Sequence, residues 1–238
     1  MQQQQPWALF VGMKRPHLNF FAPQWAFSAY NKSNVPIASN RLPSHGMPRE
    51  AFFQNAEISG DNDIRPYMYT YLDERGQRFE LLREDKHQEL KWAYRAAVTF
   101  MDSQVQRVLD AMDDLKLHNN TWIVFLGDHG WSLGEHGEWA KQNNFEEATR
   151  VPLVIVPPFG PAGSAYARNS SFQGIVELVD VYPTIMEVMG LQDAGVVPKD
   201  QLEGVSLAQA LRTGGWYNSG PMVLDYPMGS PQHISKFP

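Results

Sequence analysis

The chemistry-bearing residues of this chain crowd into one short stretch. Asp128, His129, Glu135, His136, Glu138 and Lys141 fall within fourteen residues, interleaved with Gly130, Gly134 and Gly137. Glycines let a backbone bend and approach a ligand closely. An aspartate and a histidine side by side on a turn can point at one centre, which suits a divalent metal. Hard oxygen ligands favour calcium or magnesium, whereas His129 is more natural for a transition metal. Two ligands are too few, so further carboxylates must come from elsewhere. Lys141 can set a positive charge against an anionic ester. At about 4 Å and an effective dielectric near 20, such a contact is worth about 4 kcal/mol before desolvation. His17, in Lys14-Arg15-Pro16-His17, can do the same or give a proton to a leaving group.

Each residue also has a plainer reading. Asp-His-Gly is a common turn. A single lysine is ordinarily a solvated charge, and a histidine after proline ordinarily bonds to loop backbone. Glu135, His136 and Glu138 can serve only to hold the loop, as partners of the residues that touch a ligand. What lifts the set is that its members fall at the ends of expected strands.

Those strands and helices follow from hydrophobic spacing. Trp7 to Met13 (WALFVGM) reads as a short buried strand. It ends at Pro16, which stops regular structure. Residues 21–66 are rich in Pro, Asn and Ser and read as a long irregular excursion, as functional or mobile loops often are. Over residues 86–117, Leu90, Tyr94, Ala97, Val98, Met101, Val105, Val108, Met112 and Leu115 step by three and four, which predicts an amphipathic helix. Thr121 to Gly127 (TWIVFLG) reads as a strand covered on both faces. Leu153 to Val156 reads as another strand, Ile175 to Met189 as a helix with Pro183 at its start or at a kink, Ser206 to Leu211 as a short helix and Met222 to Asp225 as a last strand. The order is that of an α/β fold. Ligands in such sheets sit beyond the carboxyl ends of the strands, where His17 and Asp128-His129 fall.

Composition narrows the function classes. Apolar residues make up 43% of the 238 residues and the net charge is −6, with no Lys/Arg block. That excludes wholesale disorder and lends no electrostatic support to nucleic-acid binding. No apolar run approaches the ~18 residues that span a bilayer. Without cysteine there is no disulfide, zinc-thiolate site or thiol nucleophile. Met1, followed by four glutamines and Pro6, has neither the basic nor the apolar region of a signal peptide.

The run GDHGWSLGEHGEWAKQNNFEEATRVPLVI resembles the sulfatases of the alkaline-phosphatase superfamily, in the branch where the metal-binding pair is Asp-His rather than Asp-Asn. VGMKRPHLNFFAP, YRAAVTFMDSQVQRVLDAMDDLKL and VELVDVYPTIMEVMGL resemble further pieces of the same family. The match runs over residues 6–238 and is weakest at 25–80. The resemblance implies an alkaline-phosphatase-like sandwich, a mostly parallel sheet between helices. Residues 1–238 would form one partial catalytic domain with a loop-rich excursion over 21–80. It implies a Ca2+-dependent sulfuric-ester hydrolase acting on a small sulfate ester or sulfated sugar, with glycosaminoglycan the sugar class of its iduronate-2-sulfatase branch. By motif match, Asp128 and His129 are its metal ligands, and Lys141 and His17 bind the sulfate and act in catalysis. Arg15 stands where the branch has lysine, which keeps the charge but changes its geometry.

One departure matters. The family's nucleophile is a formylglycine made within Cys/Ser-x-Pro-x-Arg, after a strand with an Asp-Asp metal pair. This sequence has no cysteine and no Ser-x-Pro-x-Arg. It therefore reads as the later part of a sulfatase, and the chain by itself is expected to be inactive, since losing a nucleophile costs about 10⁶ in rate. Two other functions are compatible with the residues: a phosphodiester or phosphonate hydrolase of the same superfamily, and a non-catalytic metal- or glycan-binding scaffold. Asn31-Lys-Ser, Asn119-Asn-Thr and Asn169-Ser-Ser are glycosylation sequons. They point, for a eukaryotic source, to a lysosomal or secreted setting. Trp25, Trp131 and Trp139 are candidates for stacking on sugar faces. Nothing in the sequence speaks to oligomeric state.

Overall fold

The computed structural model describes residues 7–191 and 202–214. Two compact units emerge: residues 1–116 with 126–153, and residues 117–125 with 154–238. Every candidate site residue lies in the first.

The first unit is built around one long helix and one hairpin. Helix α1 (Gln24–Ser28), helix α2 (Ala56–Ser59), strands β1 (Met68–Leu72) and β2 (Arg78–Leu82) and helix α3 (Glu84–Asp114) follow in order. β1 and β2 pair antiparallel from Met68 opposite Leu82 to Leu72 opposite Arg78. Their turn is shaped by Asp73, whose Oδ1 accepts from the backbone N–H of Arg75 and Gln77 at 2.9 and 2.8 Å, and by Gly76 at φ +75°. The alternation in β2 buries Phe79, Leu81 and Leu82. α3 opens with Glu84 and Asp85, which suit the positive end of the helix dipole.

Phe20, Ile58, Ile64, Leu82, Leu90, Ala97 and Trp139 form the main core. A second cluster, Met47, Phe52, Phe79 and Leu81, lies on the hairpin. α1 packs on α3, where the Trp92 indole N–H donates to the carbonyls of Phe27 and Tyr30. Beyond α3 the unit resumes with the glycine-rich loop. There β4 (Ser132–Leu133) pairs antiparallel with β5 (Trp139–Ala140), and helix α4 (Glu146–Thr149) follows.

The second unit holds strand β3 (Ile123–Leu126) paired with β6 (Leu153–Val156). It also holds helices α5 (Val181–Val188) and α6 (Ala208–Thr213). A single helical turn, Leu178–Asp180, leads into α5, and Glu177 and Asp180 close it as a capping box. The buried Asp180 carboxylate also accepts from the Val205 N–H at 2.8 Å. Thr184 donates to the Asp180 carbonyl at 2.6 Å and accepts from the Leu207 N–H at 2.8 Å, tying α5 to the start of α6.

Several sequence expectations change. Trp7 to Met13 forms no strand ladder among the described residues, and Phe10 is 91% exposed. A strand needs a neighbour, and apolar residues alone do not supply one. β3 is not covered on both faces, because Phe125 and Leu126 are exposed. The long helix spans 84–114 rather than 86–117, and its stripe is fully buried only in its first half, at His87, Leu90, Ala96 and Ala97. The later helix, α5, starts at Val181 after the single turn at Leu178–Asp180 rather than at Ile175, with Pro183 in the first turn of α5. The short helix shifts to 208–213. The β1–β2 and β4–β5 hairpins were not expected. The strand expected at Met222 to Asp225 lies outside the described residues. The described sheets are two-stranded, and two of the three are antiparallel.

Candidate active site

The site is assembled by the loop that leaves β3. Gly127 donates its N–H to the Pro152 carbonyl at 3.1 Å, which extends the β3–β6 direction by one residue. The chain then turns at Asp128, and Gly130 donates to the Ala148 carbonyl at 2.7 Å. Gly130 has no room for a side chain: a Cβ there would stand 2.1 Å from the Glu147 carbonyl oxygen.

Asp128 and His129 are brought together. Asp128 Oδ1 accepts from the His129 N–H at 3.1 Å, and Oδ2 lies 3.6 Å from His129 Nε2. His129 Nδ1 lies 2.7 Å from the Gly130 carbonyl. A carbonyl only accepts, so Nδ1 carries the proton and the Nε2 lone pair is left for a ligand. This is the orientation that a metal-binding histidine takes from its neighbours. The Asp128 side chain is 88% exposed, so its oxygens are also open. The pair fits two positions of a coordination sphere and no more. Among the described residues no group of three or more acidic or histidine side chains could hold a metal ion.

Lys141 and His17 also meet, across 124 positions of sequence. Lys141 Nζ is 3.1 Å from His17 Nε2. His17 Nδ1 is 2.8 Å from the Leu18 carbonyl, which again puts the proton on Nδ1 and makes Nε2 an acceptor for the ammonium. Trp131 joins the two pairs. Its ring centroid is 5.3 Å from Lys141 Nζ, 6.1 Å from the His17 ring and 6.5 Å from the His129 ring. The lysine over that face is a cation–π contact. Ala140, the residue before Lys141, has φ +78°, a conformation unfavourable for alanine, and it sets the direction in which the lysine leaves β5.

The remaining candidates hold the frame. Arg15 donates to the carbonyls of Phe21 and His17. Glu135 accepts from the Leu133 N–H at 2.7 Å and lies 3.6 Å from Lys91 Nζ. His136 stacks on Phe145 with centroids 4.4 Å apart and bonds Ser44. Glu138 is 1% exposed, accepts from the Phe53 N–H at 3.0 Å and meets Asn143 at 3.4 Å. Burial pushes its carboxyl up to about 7, against the lowering pull of these two bonds. His87, also buried, is held below the usual histidine range by desolvation. Trp139 is fully buried and belongs to the core, so it is no sugar platform, whereas Trp25 is exposed.

Two neighbours of the candidate site carried no sequence signal. Asn55 is buried at φ +53°, donates to the carbonyls of Glu80 and Gly137, and accepts from the Trp139 N–H at 2.6 Å. Glu57 brings Oε1 to 3.3 Å from Lys141 Nζ and 3.7 Å from His17 Nε2. Both lie in the irregular excursion, where neither period nor motif marks them.

Comparison with known proteins decides the family. The Sulfatase family model matches residues 1–191. The chain belongs to the sulfatase family. Iduronate 2-sulfatase of Mus musculus is 34% identical over 205 residues, covering 78% of this chain and 36% of that protein. Choline-sulfatase of Rhizobium meliloti is 24% identical over 233 residues, covering 94% and 39%. The chain thus spans a little over a third of the length of these relatives. Among solved structures, a protein in complex with its substrate D-glucosamine-2-N,6-O-disulfate aligns with TM-score 0.65 at 23% identity, covering 85% of this chain and 47% of that one. Phosphonate monoester hydrolase of Agrobacterium radiobacter aligns with TM-score 0.59 at 23% identity, covering 92% and 40%. The fold is therefore that of the sulfatases and their alkaline-phosphatase-like relatives, represented here in part.

Proposed function

We propose that this chain forms part of a sulfuric-ester hydrolase, with the sulfate held by Lys141 and His17 and a divalent metal by Asp128 and His129. One observation carries the reading: a lysine and a histidine distant in sequence, and an Asp-His pair with a free imidazole lone pair, surround one tryptophan. Lys141 directs an ammonium at an ester oxygen, where fixed charge facing developing charge is the usual source of rate. His17 Nε2 accepts from the Lys141 ammonium, so the proton for the leaving oxygen would come from Lys141, with His17 orienting it. Calcium, the metal the family resemblance implies, would supply charge neutralisation for the ester when bound.

The substrate class we favour is a sulfated sugar. The iduronate 2-sulfatase relatives and the neighbour solved with a disulfated glucosamine support it. A lysosomal or secreted setting accords with that class and with the sequons. The chain carries no cysteine and no Ser-x-Pro-x-Arg, so formylglycine cannot form on it by the family's route. We therefore expect no turnover from these 238 residues alone.

The test is complementation. The chain is combined with a sulfatase segment carrying Cys-x-Pro-x-Arg and assayed on an α-iduronide 2-sulfate and on an aryl sulfate. Turnover that is lost in Lys141→Ala supports the proposal. The phosphonate hydrolase neighbour favours a second reading. Cleavage of a phosphonate monoester with no cleavage of either sulfate would establish that one instead.

A further inference from the structure

We infer that Glu57 is a positioning residue for the Lys141–His17 pair, acting as the counter-ion that aims the ammonium. This rests on the reading that the pair takes the oxygens of an anionic ester.

The carboxylate is engaged from one side only. Oε1 lies 3.3 Å from Lys141 Nζ and 3.7 Å from His17 Nε2, while Oε2 is buried without a hydrogen-bond partner among the described residues. A buried carboxylate oxygen with no donor is costly unless a nearby positive charge compensates. Lys141 is that charge, and it is itself 19% exposed at the side chain. The ammonium has three N–H groups. One N–H is directed at His17 Nε2, Glu57 Oε1 stands at ion-pair distance, and the Trp131 ring lies 5.3 Å from the nitrogen. That leaves N–H groups for a ligand oxygen, with the ammonium held in place by its two partners.

The frame behind Glu57 is rigid. Asn55, two residues earlier, is bonded to Gly137 and Trp139, on the same loop that carries Lys141. Ile58, the next residue, is fully buried in the main core. Glu57 and Lys141 are therefore held by one set of hydrogen bonds, although 84 positions separate them. Without the carboxylate, the four-carbon lysine stem regains its rotamers, since only a neutral imidazole and a ring face restrain it.

The test reads the amine directly. The chain is acetylated with limiting acetic anhydride and the rate at each lysine is followed by mass spectrometry, with Lys91, paired with Glu135, as internal control. In Glu57→Gln, acetylation of Lys141 is expected to rise about fivefold, the factor equivalent to ~1 kcal/mol of ion pairing, while Lys91 is unchanged. An unchanged Lys141 rate overturns the inference. Should both lysines react faster, Glu57→Asp decides: restoration of the slow rate at Lys141 supports positioning by charge, and a fast rate overturns it. Protection of Lys141 by inorganic sulfate in the wild-type chain is a separate readout of the anion-binding reading. It can fail while the Glu57 result stands.

Discussion

At the scale of single residues, the site works through proton placement. Both His17 and His129 give their Nδ1 proton to a backbone carbonyl one residue on, so both present a bare Nε2. One faces an ammonium and the other stands free beside a carboxylate. On the proposed reading, the same tautomer serves as an anion-side acceptor at His17 and a metal-side ligand at His129, with the partner deciding which. Asp128→Asn keeps the shape but removes the charge that a hard cation needs. Calcium binding, followed by calorimetry, is expected to weaken at least about tenfold. Equal affinity in wild type and variant would remove Asp128 from the metal site. The motif residues Asp128, His129, Lys141 and His17 were readable from type and spacing. Glu57 was not, because a carboxylate in an aperiodic segment has no signature until the fold carries it to a lysine.

At the scale of elements, tight backbone approaches hold the loop in shape. Gly134 has φ +103°, and a Cβ there would lie 2.6 Å from the His87 ring nitrogen. Gly134→Ala is expected to destabilise the chain by about 2 kcal/mol or more through strain and displacement of His87, read as a fall in Tm. In the second unit, Thr184 closes the contact between α5 and α6 through two buried bonds. Thr184→Val preserves volume but leaves the Leu207 N–H without its acceptor, at a cost of about 1–3 kcal/mol in urea denaturation. Thr184→Ser, which keeps the hydroxyl, is expected to lose much less. Helix α3 was legible because a 3.6-residue period persists over many turns. The β1–β2 hairpin was not, since two five-residue strands give little periodic signal.

For the whole molecule, two buried titrating groups oppose each other. The Glu138 carboxyl is raised to about 7. The folded state binds its proton more tightly than the unfolded state, so its stabilising contribution is full below pH ~4.5 and declines as pH rises through 7. The shift corresponds to about 3 kcal/mol. His87 is lowered below the usual histidine value, so the folded state binds its proton less tightly. Its contribution is present above pH ~6.5 and is lost as pH falls below that. In Glu138→Gln, the fall in stability between pH 5 and 7 should flatten, leaving the rise due to His87. Denaturation midpoints across that range check it, and a wild-type-like profile in the variant would dismiss Glu138 as the source. Mild acid is therefore tolerated at this carboxylate.

The long helix, the strands near Ile123 and Leu153, the absence of cysteine and the Asp-His and Lys motifs were legible in the amino-acid sequence, because each is a local property of residue type and spacing. Only the tertiary structure decided which distant side chains share the site. Lys141 meets His17 and Glu57 because Asn55, buried at a left-handed turn, bonds the loop that carries the lysine. It also decided that Trp139 is core while Trp131 lines the candidate site, and that the apolar run at Trp7 to Met13 has no strand beside it among the described residues. Pairing, burial and charge proximity are relations between segments, and no window of sequence contains both partners.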